Sequence, residues 1–325
     1  MNKIFITLLA LFVVVNSSFL GREDEEMYLF IKFTKQFNKE YSSVEEFHAK
    51  FEIFKRNLNL VDNKETFSPF MDQSVEEFSA RLNLDVASIA EAKSKMTRYT
   101  STLTLGEVPE SFDWRENGAV SDVKDQGQCG SCWAFSTVAN IEGQYAINFN
   151  KGKKVTTFSE QELVDCDTVD QGCNGGLMDN AFQQIQQLGG LEEDKDYKYT
   201  ARGGECKFDK KKAKVTVTGF KDISSNEDEI KAILYENGPL SVAVNANPFM
   251  FYTGGILRPT KSSCNPRGLN HGVTLVGYGV ENGVNFWIIK NSWGLSWGEE
   301  GYIRIERGTG ACGVNTNVST SIVAK

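Results

Sequence analysis

The sequence predicts an α+β protein, a helical lobe and an antiparallel β lobe facing each other across a cleft, with a separate helical region ahead of both. Three observations carry this. Apolar residues recur at helical spacing in several segments up to about Gly238, whereas from Leu240 onward they gather in short runs of strand length. All seven cysteines lie beyond Pro109 and none lies between Glu23 and Thr104, a break in composition that marks a domain boundary. Glu281-Asn282-Gly283, set between two apolar runs, is a hairpin signal in the second half.

Taken in order, residues 1–17 combine Lys3, an apolar run over 4–15 and small polar residues, too short for a bilayer and suited to a secretory signal peptide. Met27, Phe30, Ile31, Phe33 and Phe37 then share one helix face, and Phe47, Phe51, Phe54, Leu58 and Val61 share another. Two amphipathic helices are expected to cross on phenylalanines. Residues 87–105, poor in bulky side chains, suit a linker that crosses the cleft and is cut on maturation. A buried helix follows over 133–146, where Ala134, Val138, Ile141 and Tyr145 recur at helical spacing. Ser159 with Glu162 three residues on forms a capping box for a short helix ending at Cys166. Met178–Leu188 is the next helix, and Ser225-Asn226-Glu227-Asp228 opens another that stops at Gly238-Pro239. Strands are expected over 240–246, 273–278, 286–290 and 302–307.

Composition excludes some functions. With 325 residues and 40% hydrophobic content the chain has ample material for a core. A formal charge of −8 argues against nucleic-acid binding, and the lysine run over 210–214 is a solvated edge. No stretch after the first is apolar enough to span a membrane. A secretory route allows disulfides to persist, and seven cysteines leave one over if the rest pair.

The stretch with chemistry is Gln126-Gly127-Gln128-Cys129-Gly130-Ser131-Cys132-Trp133. Cys132 sits at or just before the first turn of the buried helix, where unpaired N–H groups and the dipole favour a thiolate. A C-x-x-C pair alone also fits a redox dithiol or half a zinc site. No second such pair exists to complete a metal cage, so no metal and no cofactor is expected. Gln126 stands where its amide can donate to a developing oxyanion. Of the two histidines, His48 lies in the second amphipathic helix, where a surface or packing role suffices. His271 starts a strand whose hairpin returns to Asn291, within a residue or two of facing it. Nucleophile, base and orienting group make a generalised triad, with Asn291 fixing the imidazole tautomer and Trp293 shielding that bond from water.

Cys129-Gly130-Ser131-Cys132-Trp133, Gly175-Gly176, His271-Gly272 and Asn291-Ser292-Trp293-Gly294 together resemble the papain-like cysteine proteases, of the cathepsin L/F-like, preproenzyme type. Glu46, Lys50, Phe54, Asn57 and Val61 follow the spacing of that family's interspersed prodomain motif, with departures at Lys50, Val61 and Glu65. Ser68-Pro69-Phe70-Met71-Asp72 is similar to its second prodomain segment. Asp72 is there either an acid-sensitive latch or a helix cap. The resemblance implies a papain-like two-lobed fold with an N-terminal helical inhibitory prodomain: signal peptide 1–17, prodomain 18–107 and peptidase domain 108–325. It implies peptide-bond hydrolysis by Cys132, His271, Asn291 and Gln126. Substrate contacts fall on Gly175, Gly176, Leu177, Met178, Ala243, Leu269, Asn270, Trp297 and Asn317, mostly apolar and hence selective for a hydrophobic residue second before the cut. Disulfides pair Cys129 with Cys173, Cys166 with Cys206, and Cys264 with Cys312. The implied partners are polypeptide substrates, the chain's own prodomain and cystatin-type inhibitors, for a monomer of the secretory pathway that is lysosomal, vacuolar or secreted. Thiol oxidoreduction and a silent binding protein are the competing readings.

Overall fold

The computed structural model describes residues 21–103 and 105–325, so the expected signal peptide lies outside the described residues. The chain forms two compact units, one ending at Asp72 and one running from Gln73 to Lys325. In the first, helices α1 (Arg22–Gln36) and α2 (Val44–Leu58) bury Leu29, Phe30 and Phe33 on one side and Phe51, Phe54 and Leu58 on the other. The Phe30 ring lies 5.2–5.3 Å from those of Phe47, Phe51 and Phe54, so the helices do cross on phenylalanines. Each buried ring contributes about 1.5–3 kcal/mol. Asn57 donates to the Met71 carbonyl at 3.0 Å, tying α2 to the segment that follows it. Asp72 accepts from Lys39 Nζ and Tyr41 OH, both at 3.0 Å, and the helix cap next in sequence is Ser74.

The second unit holds α3 (Val75–Ser79), α4 (Ile89–Ser94), β1 (Thr97–Tyr99), β2 (Phe112–Asp113), α5 (Cys132–Phe149), α6 (Glu160–Cys166) and α7 (Met178–Leu188). It continues with β3 (Thr216–Ile223), α8 (Glu227–Asn237), β4 (Leu240–Val244), β5 (Ile256–Leu257), β6 (His271–Glu281), β7 (Val284–Lys290), β8 (Tyr302–Glu306) and β9 (Val318–Ala324). The strands form one sheet in the order β1-β3-β9-β4-β6-β7-β8-β5, with β2 on β6. Pairing is antiparallel except where β1 joins β3 and β5 joins β8. Trp133, Ala134, Val138 and Ile141 of α5 pack with Leu163, Phe182 and Ile185 into the apolar core of the helical lobe. Three disulfides, Cys129–Cys173, Cys166–Cys206 and Cys264–Cys312, tie loops in this unit and leave Cys132 as a free, buried thiol.

The backbone architecture departs from the sequence expectations at several points. Residues 87–105 do not simply link, because they form α4 and β1, and the segment that crosses the cleft lies upstream of them at Arg81 to Asp85. Strands β3 and β9 carry no clean apolar alternation. In β9, Thr320 and Ser321 are buried yet satisfied, since Asn140 of α5 donates to Thr320 Oγ1 at 3.0 Å and accepts from Ser321 N and Oγ at 3.0 and 2.7 Å. The capping box at α6 is half made. Ser159 accepts from Glu162 N, but the Glu162 carboxylate turns away to accept from Glu192 N at 2.8 Å.

Candidate active site

Cys132 is the first residue of α5 and is wholly buried. Its helix end is placed by the Cys129–Cys173 bond and by Gly130 N donating to Cys173 O at 2.8 Å. His271 opens β6 and Asn291 follows β7, joined by the turn at Asn282-Gly283. Counted straight back from that turn, Asn291 would face Thr274 and point to the opposite side of the sheet from His271. The bulge between Leu275 and Gly277 puts one extra residue, Val276, into β6 and shifts the register by one. Asn291 and His271 thereby share a face, and His271 Nε2 donates to Asn291 Oδ1 at 2.8 Å. That bond fixes the tautomer and leaves Nδ1, buried and without a hydrogen-bond partner, as the ring nitrogen still open. Trp293 stacks on the imidazole at 4.7 Å and keeps water from the His271–Asn291 bond.

Gln126 is a node of four hydrogen bonds. Its Oε1 accepts from Ser292 Oγ at 2.8 Å and Trp293 Nε1 at 3.1 Å, and its Nε2 donates to Cys129 O at 2.9 Å and Arg81 O at 3.1 Å. The carbonyl of Arg81 thus takes the donor that sequence reasoning assigned to an oxyanion. Further along, Gly176 N donates to Asn83 O at 3.2 Å, Asp85 N to Gly176 O at 2.8 Å, and Leu84 N to Asn270 O at 3.3 Å. Residues 83–85 therefore pair with Gly176 as an added parallel strand. Such closeness needs both glycines. A Cβ on Gly175, at φ +128°, would come within 2.8 Å of Asn83 O, and one on Gly176 within 2.6 Å of the Trp133 ring.

Electrostatics in this covered state oppose the expected ion pair. Burial pushes the Cys132 thiol up to about 11, against weaker help from the backbone N–H groups of Gly272, Asn83, Trp133 and Cys132 itself. Burial also pushes His271 down to about 4; the Asn291 hydrogen bond resists and the Arg81 charge adds to it. The helix dipole does not outweigh desolvation here, so thiol and imidazole are both held neutral. The group that segment 81–85 offers the sulfur is the N–H of Asn83, which gives a nucleophile nothing to attack.

Leu84 is buried in one apolar cluster with Leu177, Met178, Ala243 and Leu269, four of the residues expected to line the main pocket. Asn270 contributes its backbone carbonyl, its side chain being engaged with Ala246 N and Asn247. Asn317 is fully buried, donating from Nδ2 to Asp179 Oδ2 at 3.3 Å. The folded chain leaves no room for a glycan at the Asn317 sequon with Ser319, and intact mass is expected to be unchanged by deglycosylation at this site. Trp297 is the sequence expectation the structure does not bring to the cleft. Its indole is fully buried among Phe249, Tyr252 and Trp293, with Nε1 donating to Phe249 O at 3.0 Å, so it backs Trp293 instead of touching a peptide. Sequence reasoning passed over Arg81, Asn83 and Leu84, whose signal was the short alternation Arg81-Leu82-Asn83-Leu84-Asp85, two leucines between polar residues. It also passed over Asp179, whose place in the first turn of α7 looks like ordinary helix-end stabilisation.

Comparison with known proteins identifies the family. Residues 108–322 match the pattern of the Papain family cysteine protease, and residues 30–83 match the Cathepsin propeptide inhibitor domain. The chain is 41% identical to cathepsin F of Drosophila melanogaster, over 93% of this chain and 51% of that one, and so spans about half of that relative's length. It is 43% identical to a cysteine proteinase of Trypanosoma brucei brucei over 98% of this chain and 72% of that one. Its fold superimposes on digestive procathepsin L 3 of Tenebrio molitor larval midgut with a TM-score of 0.80 at 36% identity, covering 91% of this chain and 98% of that one. A free cysteine heading a buried helix, a hairpin that sets histidine against asparagine, and these matches over both regions have one common meaning: the chain belongs to the papain family of cysteine proteases and is a proenzyme with an inhibitory propeptide domain.

Proposed function

We propose that the chain is an endopeptidase in which Cys132 attacks the scissile carbonyl, His271 carries the proton to the leaving amine, Asn291 orients the ring, and Gln126 with the Cys132 N–H holds the oxyanion. Water then releases the thioester acyl-enzyme. The observation that carries this reading is the lie of residues 81–85, which engage Gln126, Gly176 and Asn270 through their backbone as an extended peptide would. The proposed preference is for a hydrophobic residue second before the cut, supported by Leu84 among Leu177, Met178, Ala243 and Leu269. Residues 1–17 would be the signal peptide, 18–107 the prodomain and 108–325 the peptidase, acting as a monomer open to cystatin-type inhibitors. Three disulfides favour a secretory route to a lysosome-type compartment or the exterior. An epoxide electrophile that labels Cys132 alone in the matured protein, with turnover of a leucyl-arginyl fluorogenic amide, tests the reading. Thiol–disulfide exchange without peptide cleavage would overturn it.

Gln126 offers a sharper check. Gln126→Ala is expected to lower kcat/KM by about 10²-fold or more, roughly 3 kcal/mol of barrier. Since it also strips partners from Ser292, Trp293 and Cys129, a stability loss of about 1–3 kcal/mol is expected in chemical unfolding. Gln126→Glu keeps the acceptor for Ser292 and Trp293 but sets an oxygen against the carbonyls of Cys129 and Arg81. It is therefore expected to lose at least as much stability, and the rate defect is read per titrated active site to separate the two roles.

A further inference from the structure

Asp222 on β3 meets two cations from the prosegment part of the second unit: Lys93 Nζ of α4 at 3.1 Å and the Arg98 guanidinium of β1 at 3.9 Å. The same Lys93 ammonium donates to the Thr316 carbonyl at 3.0 Å. One residue on, the Asn317 carbonyl accepts from Ala243 N at 3.0 Å while its side chain donates to Asp179. Thr316 and Asn317 thus run between the seat of Lys93 and the apolar pocket. Ala92, next to Lys93, belongs to the same apolar cluster as Leu84 and Ala243. Asp179 is 1% exposed, is engaged by Asn317 and Ser319, and feels the charges of both Lys93 and Asp222.

We propose that Asp222 and the Thr316 carbonyl, with Asp179 buried beside them, form a cation-accepting subsite of the matured protease that takes a lysine or arginine side chain of the polypeptide substrate. The proposal rests on the peptidase reading, and on loss of Lys93 and Arg98 when residues 18–107 are removed. In the proenzyme the site already holds an alkylammonium group, so its chemistry and size are set by an occupant. Once that occupant leaves, the partly buried Asp222 carboxylate and the Thr316 oxygen lose their partners at the border of the apolar pocket. A basic side chain on a bound peptide restores both contacts, and a guanidinium can engage the carboxylate through two donors. A neutral amide can donate a hydrogen bond there but brings no charge to the carboxylate, and an acidic side chain is repelled.

The test uses matured enzyme and fluorogenic peptides with leucine second before the cut and lysine, arginine, glutamine or norleucine third or fourth. A basic residue at one of these positions is expected to raise kcat/KM about fivefold over glutamine at low salt, with the gain shrinking at about 0.5 M salt. Asp222→Asn is expected to erase the gain and leave the glutamine peptide unchanged. Equal rates for basic and neutral peptides, or a preference that survives Asp222→Asn, overturn the proposal. So does a variant that only sheds its prosegment faster, which would make the Lys93 seat an anchor alone. Should the variant fold poorly, the salt series on the wild-type enzyme decides by itself. Failure to cut any leucine peptide would instead bring down the peptidase reading, and the subsite with it.

Discussion

Cys132→Ala is expected to lower kcat/KM for a fluorogenic peptide amide by about 10⁴-fold or more while the proenzyme folds and keeps all three disulfides. The sulfur is the one thiol outside the three bridges, and the His271 ring that Asn291 holds keeps its Nδ1 without a hydrogen-bond partner. Removing Sγ leaves only a small void, and alanine suits the first turn of α5. The loss should therefore appear in turnover and not in unfolding. Because the change takes away the nucleophile without touching Gln126 or Gly176, residues 81–85 are expected to remain bound as before. The variant proenzyme should stay uncut on its own yet be matured by added wild-type enzyme. A variant retaining a percent of activity would move the nucleophile elsewhere.

Much of this site could be read in the sequence because its chemistry is written in local spacing. Cys132 lies at a glycine-broken helix start, and the distance from Asn282-Gly283 outward brings His271 near Asn291. What counting could not supply was the bulge at Val276, which turns near-facing into a shared face. Elements whose stability is tertiary also escaped. β9 buries hydroxyls satisfied by Asn140, so its polarity hid it, and α4 is a six-residue helix with Ala92 as its one buried residue. The thiolate expectation failed in the covered state because a sequence shows helix ends but not how much chain will lie on top of them. Burial by that chain outweighs a helix end.

The same burial predicts how acid acts. Lowering the pH from 7 to about 4 is expected to uncover the site before it unfolds the peptidase. In the covered proenzyme His271 is held down to about 4 by burial, whereas an open imidazole titrates near 6.5. For a depressed group the covered state's advantage is complete above about 6.5 and is lost as pH falls toward 4, since the open state takes up a proton that the covered one refuses. Taken for the ring alone the difference is on the order of 3 kcal/mol. A thiol that ionises in the open site gives back a proton and offsets part of it, so the gain from acid is concentrated at the low end of this range, where the open thiol is protonated too. The framework runs the other way. Burial raises Glu162 to about 8, against the Glu192 N–H, and raises Asp170 to about 8 with the Asp167 charge adding. Their contributions are full below the ordinary carboxylate range and fade as pH rises through about 8. Between pH 6.5 and 4 the cover weakens while these two acids favour the folded framework. Alkylation of Cys132 in the proenzyme should therefore accelerate with acidification, although thiols in general react more slowly there. A labelling rate that falls with pH like a free thiol's, while circular dichroism shows the fold intact, would rule out His271 as the group through which acid opens the site.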